Sequence, residues 1–421
     1  MSASASRFGN RKDLMTDLSV DARLLASEPS PNLGLNGKVA SCAAALLLGG
    51  GLALGNLISW RQGALYLLGG ALGVSLYPAL FGFTSAWRVF ISDRRGAGLR
   101  AQMIMLAIAA ILFFPTLSHA TLFDQPVHGE FGAIGVGMLT GAFLFGLGMQ
   151  LGGGCASGTL YSAGGGNTRM LVTLAAFIAG STVGALHLPW WSAQPNIGTV
   201  SLIEKLGWMP ALVLSLAAMA CIYLLTVNLE RRQHGDLIAG AMTQHRGWRR
   251  AIQGPWPLTA GAVALALGNF ATLYLAGRPW GITSALALWG SKIVSVLGVD
   301  AAAWTYWHGA RAASLQQSVF YDVTSVMDFG IMAGALLAAG LSGKFRPEWR
   351  IAPRSLIAAV VGGLLLGYGA RLAYGCNIGA YFSGIASGSL HGWFWLAAAF
   401  AGSVVGTKLR PFFGLSVEHV R

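Results

Sequence analysis

Charge is what this chain has least of. Charged side chains make up 10% of its 421 residues, and only 15 are acids. Soluble domains carry about 25% charged residues, so a chain that is 54% hydrophobic suits lipid better than water. Cysteine is also scarce. Cys42, Cys155, Cys221 and Cys376 are spaced too widely for a zinc pattern or a small disulfide scaffold. His128, His187, His308 and His391 form no recognisable metal pattern. No Walker motif, GxSxG or HExxH occurs, so nucleotide-driven pumping would need a separate subunit. No catalytic residue, metal or cofactor is expected, and the chain is not read as an enzyme.

What the chain has is apolar length and glycine. Apolar stretches of about 16–21 residues, the length that crosses a hydrocarbon core, recur from about residue 38 onward. The 59 glycines suit close helix approach and tight turns. The net charge of +13 would suggest nucleic acid in a soluble protein. Here the basic residues gather in a few loops, which fits the positive-inside rule and no nucleic-acid partner. Residues 1–37 are polar, with Arg7, Arg11, Lys12 and Arg23 balanced by Asp13, Asp17, Asp21 and Glu28. They read as a partly disordered cytoplasmic tail rather than a secretory signal.

The most informative feature is duplication. Residues 146–158 read GLGMQLGGGCASG and residues 367–379 read GYGARLAYGCNIG, an offset of 221. Tyr161-Ser162 meets Phe382-Ser383, and Gly180-Ser-Thr-Val-Gly184 meets Gly402-Ser-Val-Val-Gly406 after one residue of slippage. Upstream, FGFTSA at 81–86 resembles WGITSA at 280–285. Each half therefore reads as helix, TSA loop, two helices, Gly-Cys loop, helix. Extra helices are expected at about 38–58 and 209–228, giving roughly ten spans with four interruptions. The expected fold class is an all-α polytopic membrane protein. Its segments are a tail (1–37), a first half with extra helices (38–228), a basic cytoplasmic linker (229–255), a second half (256–410) and a C-terminal tail (411–421).

Loop charge predicts sidedness. Residues 88–100, 229–255 and 342–354 are basic and are expected in the cytoplasm, with both termini. Residues 118–130, 188–208 and 299–326 are neutral or weakly acidic and are expected outside the inner membrane. The equivalent loops 118–130 and 342–354 then fall on opposite sides. That makes the halves inverted repeats, which place substrate near the midplane at interrupted helices.

Non-helical backbone at membrane depth persists only inside protein or along a watery cavity. Between Leu151 and Asn167 there are seven glycines, more than a packing kink needs. Gly154, Gly158, Gly375 and Gly379 mark the two Gly-Cys loops. Short helices starting after Gly158 and Gly379 would aim N–H groups and positive dipole ends at the centre, which suits an anion. Ser157, Asn377, Thr84, Ser85, Thr283 and Ser284 could add hydrogen bonds to it; the alternative is that they satisfy local backbone. Arg371 lies five residues before Cys376 in an apolar helix, where it either attracts the anion or snorkels to the interface. Lys292 reads similarly. A lone membrane cysteine is usually a small core hydrophobe, but Cys155 and Cys376 occupy equivalent loop positions. Their soft, polarizable thiols suit a sulfur or selenium atom. Cys42 and Cys221 read as core.

The GCASGTLYSAGGGN and GCNIGAYFSGIASGSLHG segments resemble the YeeE/YedE family of sulfur-transport membrane proteins, and FGFTSAWRVF with RRGAGLR looks like the YedE branch. The resemblance covers about residues 45–410. It implies an hourglass of inverted halves whose short helices and loops meet at a constriction, with thiosulfate passing Cys155 and Cys376 by S–H···S contacts. Thiosulfate-transporting members have a further cysteine in the first upstream loop, where this chain reads GFTSAWRVF. The YedE branch is linked to selenium or sulfur-relay metabolism, so a related chalcogen compound is the alternative cargo.

Three functions compete. The first is transport of a sulfur-containing anion, thiosulfate foremost. The second is sulfur or selenium transfer, in which a loop cysteine carries a persulfide to a cytosolic TusA-like sulfur carrier. The third is a neutral-solute channel of the aquaporin type, and the lack of Asn-Pro-Ala counts against it.

Overall fold

The computed structural model describes residues 34–79, 81–237 and 254–417. The expected N-terminal tail, most of the basic linker and the last residues lie largely outside these. The chain is a helical, multi-pass membrane protein. Its helices are α1 (Gly37–Leu57), α2 (Trp60–Ala79), α3 (Phe83–Asp93), α4 (Ala97–His119), α5 (Val136–Gly152), α6 (Ala156–Gly164), α7 (Thr168–Ser192), α8 (Leu202–Leu206) and α9 (Trp208–His234). They continue with α10 (Leu258–Ala276), α11 (Thr283–Val296), α12 (Ala312–Gln316), α13 (Val323–Leu341), α14 (Pro353–Leu372), α15 (Gly384–Ala386) and α16 (His391–Leu409). Among the described residues, nine helical stretches are long and apolar enough to cross a membrane; α2 with α3 and α5 with α6 each count as one. The 19-residue α16 packs along α5 as a further member of the bundle.

Polar caps set where several helices begin. Asn36 accepts from Val39 N at 3.3 Å, Asn167 from Met170 N at 3.2 Å, and Asp322 from Ser325 N at 2.7 Å. Each supplies an acceptor for an N–H that the helix leaves open. The interior is held by close backbone approach, since lipid offers no hydrophobic drive between helices. A Cβ on Gly146 would run into the Ala399 carbonyl, and one on Gly367 into the Phe177 carbonyl. Likewise Gly180 lies on the Leu364 carbonyl and Gly402 on that of Phe143. These four contacts form two matched pairs under the offset of the sequence repeat. Arg169 at Ser355 and Gly184 at Arg371 show α7 parallel to α14, and Phe145 at Trp395 with Arg410 at Gln150 O show α16 parallel to α5, while α5 and α14 run antiparallel, with Gly141 at Leu372 and Gly148 at Gly362.

The connecting loops fall at two ends. At one, Arg100 meets Glu230 at 2.6 Å and Arg95 meets Asp236 at 3.2 Å, joining the 88–100 loop to the start of the linker. The linker's far end returns there, with Trp256 N donating to Pro78 O, and Arg169 reaches Ser355 from the first turn of α7. At the other end His128 N donates to Gly277 O, Glu130 N to Ser387 Oγ, and Gln62 to Phe320 O. Short antiparallel strands, Ala133–Gly135 with Asn196–Thr199, close this neutral end. The described parts of the three basic loops thus share one end.

Cys42 and Cys221 are exposed, not core as expected. An apolar run in a membrane protein has a lipid face as well as a packed one, and both thiols lie on the outer face.

Candidate functional site

The two Gly-Cys loops fold alike. After α5 the chain turns at Gly153, whose φ of 92° is a left-handed conformation that glycine takes without strain. Cys155 then caps α6: its Sγ accepts from Gly158 N at 3.4 Å and lies 3.3 Å from Ser157 Oγ, while Thr159 N returns to Cys155 O at 2.8 Å. In the other loop Cys376 Sγ accepts from Ile378 N at 3.4 Å and Ala380 N returns to Cys376 O at 2.9 Å. Gly154 and Gly375 precede the thiols in equivalent settings. A Cβ there would approach Thr159 N at 3.1 Å and Ala380 N at 2.8 Å.

The helical segments start earlier than the sequence reading placed them. α6 begins at Ala156 and the second segment at Asn377, so Gly158 and Gly379 lie inside the first turns. The reason is that each thiol accepts a backbone N–H and so serves as the cap. The second segment, Asn377–Ser383, is wound as a π-helix, a form often found at functional sites.

The structure brings the loops together. α6 touches the 377–383 segment, and the two thiols are within electrostatic reach of each other. Both are buried, Cys155 at 2% exposure and Cys376 at 0%. Gly379 faces Gly281 of the second TSA loop. That loop is tied to the π segment by Ser383, which donates to Trp280 O at 2.8 Å and accepts from Asn269 at 3.1 Å. The first TSA loop is tied to α5 instead, where Gln150 Nε2 donates to Thr84 O at 3.2 Å. It also reaches the π segment through Phe83 and Trp87, both edge-on to the Tyr381 ring at 6.1 Å.

Several buried polar groups have no hydrogen-bond partner among the described residues: both amide atoms of Asn377 beside Cys376, Tyr381 Oη on the same π segment, both carboxyl oxygens of Asp328 and, on the first TSA loop, Thr84 Oγ1. Such groups are rare in packed interiors and ask for an explanation. Other predicted site residues are satisfied locally. Ser85 donates to Gly82 O at 3.2 Å, and Ser284 to Thr324 Oγ1 at 3.0 Å. Thr283 is buried at the start of α11.

Arg371 turns to the neutral end. Its Nη1 donates to Tyr306 Oη at 2.6 Å, and its guanidinium sits 5.4 Å from that ring. Glu130, half-buried in the loop before α5, feels both Arg278 and Arg371; burial nonetheless pushes its carboxyl up to about 7. Lys292 is held by the carbonyls of Leu315 and Gln317.

Sequence reasoning missed Asp328, the brace formed by Arg169 and Arg410 on the carbonyls that end α5, and the pairing of Gln150 with the first TSA loop. Asp328 could have been found, because it is a single acid within the 19-residue apolar helix α13.

The family model described as sulphur transport matches residues 79–405. The probable transporter YedE of Escherichia coli K12 is 32% identical over 158 residues, covering 37% of this chain and 39% of YedE. The chain thus matches about two fifths of the length of the YedE proteins. The thiosulfate transporter TsuA of Spirochaeta thermophila is 27% identical over 353 residues, 78% of this chain and 92% of that protein. The Escherichia coli K12 protein of the same name is 25% identical over 328 residues, 74% of this chain and 84% of its own length.

Proposed function

This chain belongs to the sulphur-transport family, and from that premise we propose that it carries a sulfur-containing anion, thiosulfate foremost, across a bacterial inner membrane between the Cys155 and Cys376 loops. The observation that carries the reading is the matched pair of thiol-capped loops, buried and touching, with polar groups nearby that have no partner among the described residues.

The chemistry follows from the caps. A thiol is a weak acceptor, and its N–H···S contacts at 3.4 Å hold these N–H groups loosely. A stronger acceptor can take them over, as anions do at helix N-termini. Thiosulfate offers hard oxygens to the N–H groups and a soft terminal sulfur to the thiols. The two loops would present this pair of contacts twice, once from each half. Inverted halves are supported by the antiparallel α5 and α14 and by the matched glycine contacts. The basic end is assigned to the cytoplasm on loop charge. A cysteine placed at residue 348 should react with an impermeant reagent only from the cytoplasmic side; labelling from outside would reverse the assignment.

The relay alternative requires a TusA-like carrier to reach a loop thiol. Burial of both thiols favours a small ion over a docked protein. The deciding experiment expresses the chain in a host lacking its own sulfate and thiosulfate importers. Growth on thiosulfate, lost with a Cys155→Ser, Cys376→Ser double variant, is the expected result. No growth on thiosulfate, sulfite, sulfate or selenium analogues would overturn the reading.

A further inference from the structure

Asp328 has no role in the pathway just described. It lies on α13, fully buried, with neither carboxyl oxygen bonded among the described residues. Its face of α13 is informative. One turn earlier Thr324 accepts from Arg278 at 2.9 Å and from Ser284 at 3.0 Å. One turn later Met332 packs on Gly164 of α6. Asp328 therefore sits between a polar network at the neutral end and the thiol-capped helix, within electrostatic reach of Cys376. Beyond Thr324, a cavity of about 160 Å³ lined by Arg278, Asp322 and Val323 opens beside the start of α13.

We propose that Asp328 carries a proton with the anion: it is a neutral acid while the anion passes Cys376, and it gives up that proton at the basic end. The inference rests on the transport reading above. A carboxylate without a counter-charge is costly at membrane depth. It would also repel an anion at Cys376, whereas the protonated acid is neutral and offers an O–H donor. In the cycle, the carboxylate takes H⁺ from water at the neutral end by way of the Thr324 network. After the anion leaves, the acid returns H⁺ to water at the basic end, and no bond to the anion is made or broken. A proton travelling with the anion offsets part of the charge moved against an inside-negative potential.

No nearby group takes over this role. Asp322 acts on Asp328 electrostatically, but its carboxylate is engaged by Ser325 N and Oγ, both at 2.7 Å. Lys292 of α11 is bound to carbonyls, and Arg278 to Thr324. The remaining titratable groups on elements packed against α13 are Arg61, Tyr66 and Tyr77 of α2, Tyr161 of α6, Tyr321 before α13, and Lys38 and Cys42 of α1; Arg61 donates to Gln125 at 2.6 Å. Among the described residues, Asp328 has no ion-pair partner.

The test uses the full chain in proteoliposomes with ³⁵S-thiosulfate and an internal pH dye. Wild type should take up thiosulfate at least fivefold faster with acid outside, with acidification of the lumen. In Asp328→Asn the ratio of uptake with and without the pH step should fall to one, while Glu130→Gln should retain the wild-type ratio. Infrared difference spectra of wild type should show a protonated-carboxyl band that responds to thiosulfate and is lost in Asp328→Asn, a readout that does not need transport by the variant. Uptake by wild type with no pH effect and no proton movement would overturn the proton proposal alone. An unchanged ratio in Asp328→Asn would do the same. Absence of thiosulfate counterflow in wild type would instead remove the transport reading beneath it.

Discussion

The two Gly-Cys loops share a sequence pattern and a hydrogen-bond pattern, yet their surroundings differ. The Cys155 loop is braced. Arg169 donates to the carbonyls of Leu151 and Gly152, each at 2.8 Å, and Arg410 to that of Gln150 at 2.5 Å. Cations at a helix C-terminus satisfy its open carbonyls and its dipole, and the chain then enters the regular nine-residue α6. The Cys376 loop has a different environment. Arg371, the repeat partner of Gln150 and not of either bracing arginine, turns away to Tyr306, the segment after the loop is a π-helix, and the side chains of Asn377 and Asp328 have no partner among the described residues. A repeat can thus keep two backbones alike while dividing their work. One loop is held in place by charge, and the other keeps polar atoms open for something that passes.

The largest expected effect concerns the brace. Arg169→Gln removes two charge-assisted hydrogen bonds to carbonyls and should cost about 2–3 kcal/mol of stability, read as a lower melting temperature in detergent. Arg371→Gln should leave the melting temperature within a few degrees and instead weaken uptake. If Arg371→Gln destabilises as much as Arg169→Gln, both arginines are structural and the contrast between the loops fails.

Next come the thiols. Oxygen is smaller, harder and more strongly hydrated than sulfur, so Cys→Ser keeps the cap while spoiling a soft contact. Loss of one contact worth about 1 kcal/mol gives a several-fold slower rate, the effect expected for Cys155→Ser. Cys376→Ser should cost more than tenfold, because the side chains of Asn377 and Tyr381 beside it have no partner among the described residues. Initial rates of labelled thiosulfate uptake decide this, with Cys42→Ser and Cys221→Ser as near-neutral controls on the outer face. Equal losses at both sites would remove the asymmetry, and two normal variants would remove the sulfur-contact mechanism.

These contrasts were only half legible in the sequence. Gly-Cys-x-x-Gly at matched places was enough to find both loops, because the close backbone approach at Gly154 and Gly375 leaves little room for a side chain. Hydropathy found the spans, because every long helix has to match the same bilayer thickness. What surrounds each loop comes from helices far away in the chain, and no local pattern encodes that. Arg169 is an ordinary arginine in the first turn of α7 until the fold places it under α5. Asp328 is different, for a lone acid in an apolar helix is a sequence signal in itself, and attention to Arg371 and Lys292 passed over it. The helix starts were misjudged at Ala156 and Asn377 because cysteine is not among the usual capping residues.

A smaller effect is expected at Glu130, beside Arg371 at the neutral end. Its carboxyl is raised from 4.5 to about 7 by burial, against the pull of Arg278 and Arg371. Between those two values the folded state holds more protons than the unfolded one, so stability should fall as pH rises through that window and level off above it. Glu130→Gln should flatten the melting temperature between about pH 4.5 and 7. A wild-type curve that is flat or rises there would mean that Glu130 is ionised in the folded protein. The first loop offers no matching test, since its arginines grip carbonyls.

The smallest effect separates two neighbours in the first TSA loop. Ser85 has a local acceptor in Gly82 O, whereas Thr84 Oγ1 is buried without a partner among the described residues. Ser85→Ala should therefore lose a fraction of a kcal/mol of stability, about the net value of one hydrogen bond at most, and leave uptake unchanged. Thr84→Val exchanges an unsatisfied hydroxyl for a methyl of similar shape. Removing a buried polar atom that has no partner is neutral or mildly stabilising, so the melting temperature should hold or rise. If the hydroxyl instead donates to the passing anion, uptake should fall about two- to fivefold, the equivalent of roughly 0.5–1 kcal/mol. A rise in stability together with a fall in uptake has no purely structural explanation, because a side chain needed only for packing would move both in the same direction. Thr84→Val with unchanged uptake would place the open polar groups of the pathway in the second half alone, and the first loop would then contribute Cys155 and little else.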